Sequence, residues 1–132
     1  MGTPARAIAS VFSGGTTNFP KIVEVGVFNT TTTAVAVSLN RFTAAGSVGA
    51  GLTEVSHDGS AVVATGFAGH TADGTVGNEI VRASLGASIG SGVVWTFGAG
   101  GVLIPAGTAN GIGVIIPTGT GQILDYYFVW DE

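Results

Sequence analysis

The chain has 132 residues, with eight acidic and four basic side chains and a formal net charge of −4. A chain of this length forms one domain and can bury about two-thirds of its unfolded surface, so the absence of Cys is no obstacle to a stable core. The 45% content of hydrophobic residues argues against a disordered low-complexity chain, and the scattered basic residues argue against a nucleic-acid partner.

Region 1–20 contains Pro4, paired glycines and a single basic residue, Arg6. We expect it to form an N-terminal arm, either extended across a neighbouring subunit or disordered, because chain termini are poorly ordered unless they are tied down. No stretch has the length and apolar character of a signal peptide or a membrane span, so we expect no membrane partner.

Two segments with period-two alternation follow, KIVEVGVFN at 21–29 and AVAVSLNRF at 34–42. One face carries Val23, Val25 and Val27 in the first segment and Val35, Val37 and Leu39 in the second, and Asn40 and Phe42 lie on the opposite face of the second. Polar threonines separate the segments, so the pattern predicts two strands joined as a hairpin.

Weaker signals occupy the middle of the chain. An Ala/Gly/Ser connection at 44–51 leads into LTEVSH at 52–57, a predicted short strand that stops at the Asp58-Gly59 turn, and 60–67 is its predicted hairpin partner. The stretch 69–78 is polar and rich in glycine without periodicity, which predicts a long exposed loop where binding is expected.

The last third again alternates between apolar residues and turns. Residues 79–85 predict a strand, with one short helix as the alternative, and 92–97 predict a strand that ends in the tight turn 98–101. Residues 102–117 predict a hairpin through Asn110-Gly111. After TGTGQ at 118–122, the final strand places Leu124, Tyr126, Phe128 and Trp130 on one face and Ile123, Asp125, Tyr127 and Val129 on the other. Its apolar character predicts a place in the middle of a sheet or at a subunit contact.

Eight or nine strands with turns about every ten residues predict an all-β fold, an antiparallel two-sheet sandwich of jelly-roll type, over 21–132. Charged residues on edge strands normally prevent them from pairing with strands of other molecules, and this chain has few charged residues. Burying those edges against identical subunits would solve the problem, so we expect a closed homo-oligomer.

Motifs for catalysis are weak, and we expect no enzyme activity, cofactor or metal. Residues 86–90 match the G-x-S-x-G nucleophile elbow around Ser88, but a strand rather than the required helix is predicted to follow. His57-Asp58 and His70 with Asp73 pair a histidine with a carboxylate, yet both fall in predicted turns and neither has metal-ligand spacing. Spatial convergence of these groups stays open as an alternative.

The aromatic residues are the best candidates for contacts. Trp95, Trp130, Tyr126, Tyr127 and Phe128 could form a sugar-stacking platform, although aromatic residues on strands more often belong to a core or an interface. The candidate interface residues are Tyr126, Tyr127, Phe128 and Trp130 of the last strand, together with Arg6 and Phe12 of the arm.

The segments 25–42 (VGVFNTTTTAVAVSLNRF) and 92–132 (GVVWTFGAGG through ILDYYFVWDE) resemble the small Gly/Thr/Ala-rich β-sandwich virion proteins encoded among tailed-phage head genes. The resemblance extends over most of the chain and lies in its general composition and strand pattern rather than in a diagnostic motif. It implies a structural capsid decoration or cement protein, commonly a homotrimer, that binds the major capsid protein on the outer surface of a bacteriophage virion assembled in the host cytoplasm. The alternative is a carbohydrate- or receptor-binding module of the kind found in tail tips or lectin-like domains.

Overall fold

The computed structural model describes residues 3–118 and 122–132, and these residues form ten strands and no helix. The strands are β1 (Ala9–Phe12), β2 (Lys21–Asn29), β3 (Val35–Ala44), β4 (Ala50–Gly51), β5 (Thr65–Ala68), β6 (Thr75–Leu85), β7 (Gly92–Thr96), β8 (Val102–Leu103), β9 (Gly111–Ile115) and β10 (Leu124–Asp131). No helix in the described part of the chain is therefore long and apolar enough to cross a membrane.

The strands form two antiparallel sheets, which confirms the predicted all-β two-sheet sandwich. The larger sheet has the order β4-β5-β1-β9-β3-β6, and the smaller has the order β10-β2-β7, with β8 also pairing with β2. Because β10 pairs along the whole of β2, β7 and β8 share the other edge of β2. The chain passes from the larger sheet to the smaller between β1 and β2 and returns between β2 and β3.

Both strands of the predicted 21–42 hairpin exist, but the hairpin itself is wrong, because β2 and β3 lie in different sheets. Asn29 at the end of β2 explains the arch between them. Its Nδ2 donates to the carbonyls of Thr33 and Gly86, at 2.8 and 2.9 Å, and its Oδ1 accepts from the backbone N–H of Thr31. Because this buried amide has these partners, it holds the chain in a turn that crosses from one sheet to the other. The alternation of apolar and polar residues does not specify such a turn.

A bulge in β2 changes which of its residues face the core. Val129 pairs with Glu24 and Trp130 pairs with Ile22, so Val23 is an extra residue on its strand. The shift places Ile22 in the core with Val25 and Val27, all at 0% exposure. The predicted faces are therefore right for the C-terminal half of β2 and wrong for Val23 and Ile22.

The main core lies between the two sheets. It contains alternate residues of β1, β2, β3, β9 and β10, among them Val11, Val25, Val27, Val37, Leu39, Ile112, Val114 and Leu124, together with Trp95 of β7. The predicted faces of β3 and β10 are confirmed. However, β10 is an edge strand of the smaller sheet, so its predicted place in the middle of a sheet is wrong.

Several weaker predictions need correction. Residues 52–57 form no strand, and of the predicted partner 60–67 only 65–67 lie in a strand, β5. The predicted hairpin over 102–117 is divided between β8 in the smaller sheet and β9 in the larger. The short-helix alternative over 79–85 is wrong because β6 spans this segment. Gly59 has φ +81°, as the predicted Asp58-Gly59 turn requires.

The arm predicted over 1–20 also needs correction, because its residues Ala9–Phe12 form β1 between β5 and β9 of the larger sheet. Met1 and Gly2 of that arm lie outside the described residues, as do Gly119, Thr120 and Gly121 of the predicted turn 118–122.

Candidate functional site

The outer face of the smaller sheet is open to solvent and carries exposed apolar side chains. We call the surface formed by Phe28, Tyr127, Val94 and Val129, with Gly26 and Glu24 between them, the open face. Tyr127 pairs with Gly26, and its ring fills the space that a Cβ on Gly26 would occupy. The ring stacks on Phe28 with centroids 6.4 Å apart, and Val94 is 45% exposed beside it.

The phenol of Tyr127 is oriented by an acid on the neighbouring strand. Its Oη–H donates to Glu24 Oε1 at 2.7 Å. This hydrogen bond, with smaller contributions from burial and from the charge of Glu24, raises the pKa of Tyr127. The open face therefore combines an exposed aromatic ring with a polar group that bonds to it, which is a typical composition for a contact surface.

A groove of about 470 Å³ lies along β10, between this strand and the irregular segment 52–62, and Tyr127 and Val129 of the open face also border it. Tyr126, Phe128 and Trp130 point inward from β10, and the parts of these rings that the core does not cover line the groove. In the described part of the chain, β10 pairs with no strand except β2, so its other edge borders the groove.

Hydrogen bonds inside segment 52–62 give the far wall of the groove a defined shape. The hydroxyl groups of Ser56 and Ser60 donate to Asp58 Oδ1 at 3.0 and 2.6 Å, and the Ser60 N–H donates at 2.9 Å. Led by the bonds from Ser60, these donors lower the pKa of Asp58 to about 2. Glu54 Oε1 accepts from the Gly66 N–H at 2.7 Å and so ties the segment to β5.

Glu132 joins the two walls at one end of the groove. Its Oε1 accepts from the Ala64 N–H at 3.1 Å and from Trp130 Nε1–H at 2.8 Å, and its Oε2 accepts from the Val63 N–H at 2.9 Å. Partial burial alone would raise the pKa of Glu132, but these donors, together with Asn18, outweigh burial and hold it below its usual value. The carboxylate therefore closes the groove at the end of β10.

Phe12, a predicted interface residue, belongs instead to a second core on the outer side of the larger sheet. We call this group the sealed cluster: Phe12, Phe42, Phe67 and His70, with Ala7, Ala45, Val76 and Ile115 packed around them. The connections 45–49 and 69–74 cover it with the N-terminal segment, through bonds such as His70 N–H to Ala7 O at 3.1 Å. Phe12 is 2% exposed, so it offers no contact surface.

His70 and Ser10 meet inside the sealed cluster in an arrangement that resembles part of a catalytic triad. A carbonyl can only accept, so His70 Nδ1–H donates to Ala45 O at 2.9 Å, and Nε2 accepts from the Ser10 hydroxyl at 2.7 Å. Burial lowers the pKa of His70 and keeps the ring neutral. Because Ser10 and His70 are 0% and 1% exposed, no substrate can reach the pair, and it holds the fold together.

The other sequence-predicted residues are dispersed. Arg6 pairs with Asp73 at 3.0 Å, so the acid predicted beside His70 instead ties down the N-terminal segment. Ser88 lies in an exposed turn followed by strand β7, and His57 lies in segment 52–62, far along the chain from it. No group of three His, Asp or Glu side chains that could hold a metal occurs within 3–118 and 122–132.

The predicted sugar-stacking platform does not exist in the form proposed. Trp95 is only 8% exposed within the core, whereas Tyr127 and Tyr126 lie on opposite faces of β10. The predicted binding loop 69–78 is also wrong, because 69–74 covers the sealed cluster and Thr75–Leu85 is β6. The sequence pattern predicted two strands joined by the Asp58-Gly59 turn in this region, and it did not predict the groove. The run of Ser56, Asp58 and Ser60 is the signal that indicates a structured loop.

Comparison of the chain with protein-family models, with curated proteins and with solved structures found no match.

Proposed function

We propose that this chain is a structural virion protein that decorates or cements a bacteriophage capsid by binding the outer lattice of major capsid subunits. The open face carries the proposal. It presents an aromatic ring, Tyr127, and exposed aliphatic groups such as Val94 on a rigid sheet. A surface of this kind supports contacts with another protein better than chemistry on a small molecule.

We further propose that the protein is a homotrimer and resides on the capsid surface. Val94 is 45% exposed and Val129 is 37% exposed, and contact with identical subunits or with capsid subunits would bury them. Binding only to the assembled shell would stabilise that shell by mass action, which is the physical basis of a cement role.

The first test is the mass in solution. Light scattering after size exclusion, over a dilution series, should give about three times the 13.0 kDa monomer mass. Purified protein should then co-sediment with empty phage heads. A monomer at every concentration, or a trimer that fails to bind heads, would contradict the corresponding half of the proposal.

A pair of variants tests whether the open face makes the contact. Val94→Glu puts a charge on that face, on strand β7, and Ile89→Glu puts the same charge on a turn where the side chain is 71% exposed. Val94→Glu should abolish trimer formation or head binding, because burying an unpaired carboxylate is strongly unfavourable, and Ile89→Glu should leave both unchanged. Equal behaviour of the two variants would place the contact elsewhere.

A carbohydrate- or receptor-binding module is the second candidate function. The groove beside β10 favours it, since aromatic rings and carboxylates line one cavity there.

A further inference from the structure

We infer that the groove between β10 and segment 52–62 is a binding site for a neutral oligosaccharide. The inference supplies the site that the second candidate function requires, and it does not depend on capsid binding, because saccharide binding is measured on the purified chain alone. Tyr127 and Val129 of the open face also border the groove along β10. The volume of about 470 Å³ falls within the usual range for small-molecule sites.

The charges of the groove select the class of ligand. Four of the eight carboxylate side chains of the protein line it, Glu54, Asp58, Asp131 and Glu132, and none of the four Lys and Arg side chains does. Phosphates, nucleic acids and acidic sugars would be repelled by these carboxylates. A ligand rich in hydroxyl groups would instead donate hydrogen bonds to them, and such charge-assisted bonds are stronger than neutral ones.

The carboxylates are already oriented for this task. Glu54 uses Oε1 for the Gly66 N–H, and Asp58 uses Oδ1 for its serine donors. Each acid is therefore fixed by one oxygen, and its second oxygen has no hydrogen bond within the described residues. Side chains that are held before a ligand arrives lose little conformational entropy on binding.

The rings of β10 supply the apolar part of the site. Tyr126, Phe128 and Trp130 follow one another along the strand at every second residue, with part of each ring open to the groove. Burial raises the pKa of Tyr126, and its hydroxyl has no hydrogen-bond partner in the described part of the chain. Aromatic faces pack against the apolar C–H face of a pyranose, and the phenol can bond to a ring substituent.

The closed end of the groove favours a short oligosaccharide over an extended peptide. A peptide strand could add to the unpaired edge of β10, which is a common mode of recognition. Such a strand would have to pass Glu132, whose carboxylate bonds to Val63 and Ala64 and so blocks the edge where β10 ends. A ligand of a few sugar units fits inside a groove that ends there.

The test is a titration of the purified full-length chain by calorimetry and by Trp fluorescence. The probes are neutral hexasaccharides of α-glucose, β-glucose, N-acetylglucosamine, mannose and galactose, with a polygalacturonate oligomer as the acidic comparison. We expect at least one neutral probe to bind with millimolar affinity or better and to change the emission of Trp130, and the acidic probe not to bind. Failure of every neutral probe, or preferential binding of the acidic one, would overturn the inference without affecting head binding.

A matched pair of tyrosine variants locates the site. Both tyrosines border the groove, but their hydroxyl groups differ. Tyr126→Phe removes a hydroxyl that has no hydrogen-bond partner within the described residues, and Tyr127→Phe removes one that already donates to Glu24, a residue that does not line the groove. Tyr126→Phe should weaken binding about tenfold, the usual worth of one hydrogen bond to a ligand, and Tyr127→Phe should not change it.

Glu54→Gln keeps an acceptor for the Gly66 N–H and removes the charge, and it should also weaken saccharide binding. Unchanged affinity in both Tyr126→Phe and Glu54→Gln would show that the saccharide binds elsewhere. The thermal melting curves of all three variants show whether they are folded.

Discussion

The sealed cluster and the open face are both outer surfaces of a sheet, and both carry aromatic side chains, yet only one of them is covered. Phe12 of the sealed cluster is 2% exposed beneath the connections 45–49 and 69–74, whereas Tyr127 of the open face is 37% exposed. The difference arises from the loops. The connections 45–49 and 69–74 fold over the outer face of the larger sheet, and none of the described connections covers the outer face of the smaller one, so the smaller sheet is the one available to a partner.

Glycine has a different role in each region. In the sealed cluster, Gly111 of β9 lies between Phe12 of β1 and Phe42 of β3, and its missing side chain leaves room for a ring. On the open face, Gly26 lies beneath the ring of Tyr127. The first ring is confined on all sides by the protein, and the second is confined only from below.

The largest expected effect comes from emptying the sealed cluster. Phe12→Ala should lower the free energy of unfolding by about 3–5 kcal/mol, because the loops that surround the ring cannot fully collapse into the space. Chemical denaturation measures this loss. Tyr127→Ala, the matched truncation on the open face, should lower the free energy of unfolding much less. Equal losses in the two variants would contradict the difference between a covered and an uncovered face.

Adding one carbon to each glycine gives the next largest effect. A Cβ on Gly111 would lie 2.6 Å from the Phe12 ring, which cannot move away, so Gly111→Ala should destabilise the protein by about 1–3 kcal/mol. Gly26→Ala displaces a ring that can turn toward solvent and should cost less. The melting temperatures of the two variants give the comparison. A larger loss of stability in Gly26→Ala than in Gly111→Ala would contradict the expected order.

A pH dependence should report on the sealed cluster alone. Burial lowers the pKa of His70 from its ordinary 6.5, so the unfolded chain takes up a proton before the folded one does. Stability is therefore complete above pH 6.5 and falls as the pH drops from there through the lower pKa of the folded state. His70→Gln should remove this slope below pH 6.5, and His57→Ala should keep it.

Acidic groups do not obscure that experiment. Asp58, with a pKa of about 2, and Glu79 and Glu132, whose pKa values are also lowered, lose their favourable contributions only at more acidic pH. A slope that survives in His70→Gln over the higher pH range would contradict the assignment.

The smallest effect concerns protonation on the open face. Removing the acceptor in Glu24→Ala removes the main cause of the raised pKa of Tyr127, so that pKa should fall toward its ordinary value of 10.0. Tyrosine titration followed by ultraviolet absorbance measures the change. The pKa of Tyr126, which burial raises, should stay where it is, and a shift of both groups would indicate a general rearrangement of β10.

Alternation predicted most strands correctly because each buries one face. The faces of β3 and β10 follow from their residues alone, since Leu39 and Leu124 have to reach the core between the sheets. The partner of each strand did not follow, because alternation is the same whether a turn returns to its own sheet or crosses to the other. Asn29 supports that crossing through its hydrogen bonds, but asparagine is also common in ordinary turns, so its presence does not predict a crossing.

The site was predicted less well than the fold. That the last strand makes contacts stays a prediction, and the groove beside it depends on segment 52–62, whose shape comes from hydrogen bonds such as those of Asp58. The burial of Phe12 depends on distant loops that cover it. Neither a network of side-chain hydrogen bonds nor the covering of a surface by loops produces a periodic pattern in the sequence.

The pairing of early strands with late ones has a consequence for how the protein forms. β1 pairs with β9, and Lys21 at the start of β2 lies opposite Asp131 at the end of β10. Closing such long loops costs entropy before any contact repays it, so folding should be slow, in the range of milliseconds to seconds. During synthesis, β9 has to emerge before the two halves of the larger sheet can join. A nascent chain with few charges therefore exposes apolar strands with unpaired edges, which are prone to aggregation, until β9 and β10 are available to pair.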